Sequence, residues 1–472
     1  MKKSLFPICA PLCAAALLFC SCSEVTTEIV AQPRDFSEEQ MYKVSNNDIL
    51  ALLKKNNLLK TKGEPADFTM DPYLWEGDTV MFLVNDASGW QLISADKRAC
   101  PIVVYEDGEH KTLKDIMGSP ILGGWISSVA KDIHTLKNGN YRIENENTKY
   151  WNYVEGKASM AKTKSPGLGW KLICTIDISS TSTVVDHIIP TKWGDCSPWD
   201  SCFPNDNDGQ PLDVGSHNVA IAQMLYWSHQ QNGIPIYAYT DITAFTGHMY
   251  LDEDENYQYY LLYPVFSFID SSSVAWSQMK TTSSGSGNSD YVGYLMAKVR
   301  SLTNPFYAED YSPATDIAAI NYFQLDASTN NYVADTVINH ILQGEPSLII
   351  ANVQSGSSNN NIACIADYYY SFSNTYEEFY IYDPYDTYSG IIDIDLEYAT
   401  PEDIILVLPD GYEWCSEQHA VSMRYISFNW GLNGIGDNQR YSVNSTLWDW
   451  VHYSVTTTVS PWKMIYNIHT TN

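Results

Sequence analysis

Two periods of apolar and polar positions alternate along the chain. Across residues 37–59 the apolar residues Met41, Val44, Ile49, Leu52 and Leu53 recur at helical spacing, which predicts a helix. Three short runs follow, at 79–84, 89–94 and 100–105. They are apolar or alternating and are separated by turn residues, so they read as strands of a small α+β unit. Residues 111–137 return to helical spacing, broken at Gly118-Ser119-Pro120 and Gly123-Gly124. The stretch 140–182 is rich in Lys, Ser, Thr, Asn and Gly, as in Lys162-Thr163-Lys164-Ser165-Pro166-Gly167, which is the chemistry of a linker. Beyond it, 216–231 and 335–343 predict helices, the second ended by Gly344-Glu345-Pro346. The remainder consists of aromatic and β-branched runs broken by Asn, Asp, Gly and Ser. A helical portion followed by an antiparallel sheet is expected, and no internal repeat is visible.

The N-terminus has a different pattern. Met1-Lys2-Lys3 is a short basic region and residues 5–19 are continuously apolar, too short and wrongly flanked for a permanent membrane helix, so they read as an export signal. The signal closes on Phe19-Cys20-Ser21-Cys22-Ser23, which resembles the lipobox of bacterial lipoproteins. That resemblance implies lipidation of Cys22, the cysteine preceded by a small residue, and anchoring to a bacterial outer membrane or cell surface. Residues 23–34 are polar and are expected to be a flexible stalk.

Composition narrows the function classes. Of 472 residues, 44% are apolar and 18% charged, enough to bury a sizeable core. The 56 acidic against 27 basic residues give a net charge of −29, a surface that repels phosphate backbones. Nucleic acid is therefore not expected as a partner, and a membrane is expected only through the lipid. Outside the signal and Cys22 six cysteines remain, Cys100, Cys174, Cys196, Cys202, Cys364 and Cys415, of which Cys196 and Cys202 could close a small loop. Zinc-type Cys/His spacing is missing, and the acidic runs 206–209 and 252–255 lack the pattern of a calcium loop, so no metal or cofactor is expected.

The first unit carries Met41-Tyr42-Lys43-Val44-Ser45 and Gly89-Trp90-Gln91-Leu92-Ile93-Ser94-Ala95-Asp96-Lys97-Arg98 followed by Pro101-Ile102. These strings resemble the propeptide, or related protease-inhibitor module, of streptopain-family cysteine peptidases. The second unit carries Thr191-Lys192-Trp193-Gly194-Asp195, Gly215-Ser216-His217-Asn218-Val219-Ala220, Ile362-Ala363-Cys364-Ile365-Ala366-Asp367, Phe428-Asn429-Trp430-Gly431-Leu432-Asn433-Gly434 and Lys463-Met464-Ile465-Tyr466-Asn467-Ile468. In the same order they resemble the mature peptidase. The resemblance implies an α+β chain with a papain-like fold preceded by a small propeptide-like domain. The expected division is a signal at 1–22, a stalk at 23–34, a propeptide-like domain at 35–140, a linker at 141–182 and a papain-like domain at 183–472.

Papain-type chemistry needs a cysteine at a helix N-terminus, a histidine to share its proton and a glutamine to donate to the oxyanion, the last worth ~3 kcal/mol of barrier. The resemblance places Ser216 at the cysteine position, Ile362 at the histidine position and Asp195 at the glutamine position, and it retains Asn429 and Trp430, with Asp383 a rival for the Asn429 slot. Isoleucine moves no proton, and a carboxylate opposes an oxyanion. A non-hydrolytic pseudoenzyme is expected, binding a peptide or protein ligand, an active protease among them. Two alternatives stand beside it: an active peptidase rebuilt from Ser216 and His419, and a surface protein that binds glycan or protein through tyrosine runs such as 257–263 and 368–370. His217, next to Ser216, reads as a solvated or capping residue, and Cys364 as core.

Overall fold

A computed structural model describes residues 41–55, 68–139, 145–156, 169–201, 203, 211, 213–232, 248–251, 258–261, 273–303, 313–323, 325–355, 358–385, 387–388, 400–408, 411–443 and 463–470. The expected signal with Cys22, the stalk, Cys202 and the acidic runs 206–209 and 252–255 lie outside the described residues. No helix among the described residues is long and apolar enough to cross a membrane.

Helix α1 (Asn46–Lys55) begins at Ser45. Its Oγ accepts the Asp48 N–H at 3.3 Å while the Asp48 carboxylate accepts the Ser45 N–H at 2.8 Å, a reciprocal cap that satisfies two orphan donors. Strands β1 (Thr69–Trp75), β2 (Asp78–Asp86), β3 (Gly89–Ser94) and β4 (Ile102–Asp107) form an antiparallel meander. Helices α2 (Leu113–Met117) and α3 (Pro120–Asn138) start on the side chains of Thr112 and Ser119, and Pro120 occupies the first turn, where its missing N–H costs nothing.

The span expected to be linker carries structure. Helix α4 (Glu146–Glu155) is capped by Asn145, ends at Gly156 with φ +63° and buries Tyr150, Trp151, Tyr153 and Val154. Strand β5 (Trp170–Val185) follows. Part of the polar composition that suggested a linker belongs to the exposed half of β5, and the string Lys162–Gly167 lies outside the described residues. The chain then continues through α5 (Ser216–Asn232), β6 (His248–Leu251), β7 (Gln258–Leu261), α6 (Ser273–Gln278), α7 (Ser289–Thr303) and α8 (Pro313–Tyr322). It ends with β8 (Leu325–Asn331), α9 (Ala334–Leu342), β9 (Ser347–Ser355), β10 (Ser358–Tyr382), α10 (Pro401–Val407), β11 (Trp414–Asn429), β12 (Arg440–Ser442) and β13 (Lys463–Thr470). The fold is α+β.

One antiparallel sheet of eleven strands unites both units, in the order β1-β2-β3-β4-β12-β11-β10-β9-β13-β8, with β5 alongside the later half of β10. The seam is β4 against β12, where Arg440 pairs with Tyr105 and its guanidinium binds Asp107 at 2.6 Å. Helices α5, α7 and α8 cover one face of the sheet and α3 and α9 the other, the latter burying Trp125, Ile133 and Ile338 in one cluster with Cys364 and Met464. Cys364 is core, as expected.

Between Ile362 and Asn429 the chain runs out along β10 and back along β11, and with β5 paired to β10 these strands form a long arm. One of its faces packs Tyr376, Val421, Met423 and Tyr425 against α1 and α4. Lys97 is buried beneath those helices and holds Asp48 of α1 at 3.1 Å and Glu155 of α4, while Arg98 grips Asp96 at 2.6 Å. The Asp-Lys-Arg string of the first unit thus works as a clamp, because buried charges persist only when paired.

Candidate functional site

The four segments picked out for chemistry converge. Gly215, at φ +86°, turns the chain into α5, and Ser216 is the first helical residue. The turn is held from several sides: Val214 donates to the Asp195 carbonyl at 2.9 Å, while the Val214 carbonyl accepts from the Asn218 side chain at 2.6 Å and from Arg300 at 3.1 Å. Ser216 Oγ accepts the Ala363 N–H at 3.1 Å, so the helix N-terminus touches β10 at the residue next to Ile362. The 429–434 turn closes the arrangement, with Asn433 donating to the Trp193 carbonyl at 3.2 Å and Gly431 pressed against Val219 of α5.

The groups brought together do not make a proton-transfer chain. Ile362 is half-buried and packs, with Leu432, at the edge of the cluster under α3 and α9. Burial raises the Asp195 carboxyl above its ordinary value, and the neighbouring Asp213 and Asp200 charges add to the rise. Negative charge is therefore disfavoured here even before an oxyanion is considered. Exposed Cys196 is a free thiol whose pKa is pushed up by partial burial and by the same carboxylates, so it is not primed as a substitute nucleophile.

Asn429 is committed elsewhere. Its Oδ1 accepts from Gln223 at 3.1 Å and from the Gly431 N–H at 3.1 Å, and its Nδ2 donates to the Thr191 carbonyl at 2.8 Å. Gln223 in turn accepts from the Thr191 hydroxyl at 2.9 Å and from the Trp193 N–H at 3.3 Å. This buried amide pair ties α5, β11 and the 191–195 loop into one unit and leaves Asn429 without capacity to orient a ring. Trp430 is buried beside Phe428 and Tyr441, and its N–H is accepted by Asp437 at 3.2 Å.

His217, His419 and Asp383 are engaged elsewhere. His217 is neither solvated nor capping: its Nδ1 lies 2.8 Å from Asp316 of α8, and both side chains are buried. Adjacent helix positions diverge by about 100°, which aims it away from Ser216. His419 pairs with Tyr376 across the arm, thirteen residues along β10 from Ala363 (376 − 363). At about 3.3 Å per strand residue that is roughly 40 Å from Ser216, so the two cannot share a proton. His419 instead sits 3.2 Å from buried Glu378. Asp383 caps the turn beyond β10, accepting from Thr387 N at 2.9 Å and Tyr388 N at 2.7 Å, and is no rival to Asn429. The tyrosines at 368–370 form no exposed face: Tyr368 and Tyr369 are buried, and Tyr370 stacks on Tyr425. Of the 257–263 run, only 258–261 is described, as β7.

One cluster escaped the sequence analysis. His187 Nδ1 lies 3.0 Å from Asp367, whose other oxygen accepts the Ile189 N–H at 3.2 Å. Burial works against the charged ring, yet Asp367 holds the His187 pKa above its ordinary value. Asp437 is close enough to feel both charges, and burial pushes its carboxyl up to about 7. The signal was an aspartate at the end of the apolar run Ile362-Ala363-Cys364-Ile365-Ala366, because a buried acid demands a partner.

No family model matches the chain, and no curated protein does. Among solved structures, a fragment of Prevotella intermedia prointerpain A with a cysteine-to-alanine substitution is 13% identical, covers 86% of this chain and 100% of its own length, and has a TM-score of 0.47. Active wild-type interpain A, a cysteine protease from the same organism, is 16% identical, covers 60% of this chain and 94% of its own, and has a TM-score of 0.34.

Proposed function

We propose that this chain is a non-hydrolytic pseudoenzyme built on a papain-like, streptopain-type zymogen scaffold, exported and anchored through Cys22, and acting by binding a peptide or protein. The observation that carries this reading is the contact at Ser216: its Oγ is occupied by the Ala363 N–H beside Ile362. Among the described residues no histidine nitrogen is hydrogen-bonded to Ser216. A serine hydroxyl without a base is a poor nucleophile at neutral pH. The locked Asn429–Gln223 pair and the two carboxylates beside Asp195, Asp200 and Asp213, support the same conclusion.

The test follows intact mass and casein together in reducing buffer. The purified chain is expected to keep its mass and to leave casein whole over hours. Loss of casein, or scission between the units, that disappears with Ser216→Ala would overturn the reading.

A further inference from the structure

Strand β5 has an open edge. One side pairs with β10 in unbroken register from Ser179 to Val185, and no strand among the described residues lies on the other side. Every side chain from Asp177 to Val184 is exposed, which leaves half of the main-chain donors and acceptors of this stretch facing solvent. Edges of this kind are usually guarded by proline, lysine or inward charge. The sheet's terminal strand β1 follows that rule with Asp71 and Pro72. Residues 178–185, Ile-Ser-Ser-Thr-Ser-Thr-Val-Val, contain no charge and no proline.

We propose that this edge is a self-association surface on which two copies of the chain pair antiparallel about a two-fold axis through Thr181. The register follows from the sequence. With Thr181 facing its own copy, Ser180 meets Ser182 and Ser179 meets Thr183, pairs whose hydroxyls hydrogen-bond across strands. Ile178, the bulged residue that follows the regular ladder at Ser179, lies near the level of Val184, and these two are the exposed aliphatic side chains of the strand, at 40% and 53%. One shift therefore matches hydroxyl to hydroxyl and aliphatic to aliphatic, as an isologous contact requires. No like charges meet: Asp177 falls opposite Val185 and is already held by Lys55 at 2.8 Å and by the Tyr153 hydroxyl at 2.7 Å. A foreign strand would satisfy the backbone but would have no reason to match this sequence symmetry. The net charge of −29 opposes association at long range, so the pairing strengthens with salt as repulsion is screened.

The proposal is independent of whether the chain hydrolyses peptides. Light scattering of the purified chain from low to high micromolar concentration, in low and high salt, is read beside amide hydrogen exchange. A dimer is expected that grows with concentration and salt, with exchange slowing at residues 178–185. Ser180→Lys with Ser182→Lys is expected to weaken it by at least about tenfold, leaving the unfolding midpoint unchanged. A chain that stays monomeric, a dimer protected elsewhere or unmoved by the lysines, or protection of 178–185 only when casein is added would each overturn the proposal. Should the lysines lower the unfolding midpoint, the concentration dependence of wild-type exchange decides.

Discussion

At residues 362–367, β10 passes the N-terminus of α5, and the side chains there are isoleucine, alanine and a buried cysteine, with Asp367 turned to His187. At residues 374–380 the same strand carries a dense ionisable network. Glu378 accepts from Tyr380 and lies 3.2 Å from His419, and Asn374 donates to the Tyr153 hydroxyl, which donates to Asp177. The strand end beside the α5 N-terminus holds few titratable groups, and the end rich in them has the geometry of a structural joint. Perturbed titratable groups mark functional sites only probabilistically. Here they mark the place where the arm is fastened to α1 and α4.

If that contrast is right, the largest effect comes from the joint. Glu378→Ala leaves His419 and the Tyr380 hydroxyl without their buried partner and is expected to cost roughly 3–5 kcal/mol in denaturant unfolding. A loss below about 1 kcal/mol would mean that the arm is held by packing alone.

A smaller effect concerns pH. A carboxyl raised to about 7 by burial, as at Asp437, contributes stability that is fully present below its ordinary value of 3.8 and is lost as pH rises through about 7. His419, raised by its bond to Glu378 against the effect of burial, acts in the same direction, contributing most below its unfolded value and losing that contribution above its folded one. Asp437→Asn keeps the neutral shape and can still accept the Trp430 N–H. It is expected to melt with the wild type near pH 3 and above it near pH 8, by about 1 kcal/mol or more. Equal melting at both pH values would remove Asp437 from the account.

The smallest effect belongs to the site itself. Ser216→Ala removes one acceptor from the Ala363 N–H and is expected to lower stability by about 1 kcal/mol, with no change in casein integrity. A stability loss as large as that of Glu378→Ala would erase the contrast between the two ends of β10.

Much of this was legible in the sequence. The start of α5 at Ser216, the strands of the first unit and the helix at 334–342 followed from periodicity and caps. That the segments of Asp195, Ser216, Ile362 and Asn429 lie near one another was an implication of the family resemblance, which composition and periodicity do not contain. The arm was not legible, because β5 has no alternation across 177–184: it is a strand since β10 pairs with it, a tertiary choice that local propensity does not encode. His217 was misread for a related reason, since its partner Asp316 lies on a helix 99 residues away.

The place of β13 in the sheet has a consequence for synthesis. It lies between β9 and β8, so the surface on which α5 and α8 rest is completed only when residues 463–470 have emerged. The seam between the units likewise waits for β12. Contacts of such long sequence separation fold slowly, and during translation the edges of β8 and β9 stay unpaired. Until those residues emerge the sheet that both units share is incomplete, and a secretion channel threads a polypeptide that has not completed its fold. The strand order itself would thus delay folding until after the export proposed for this protein.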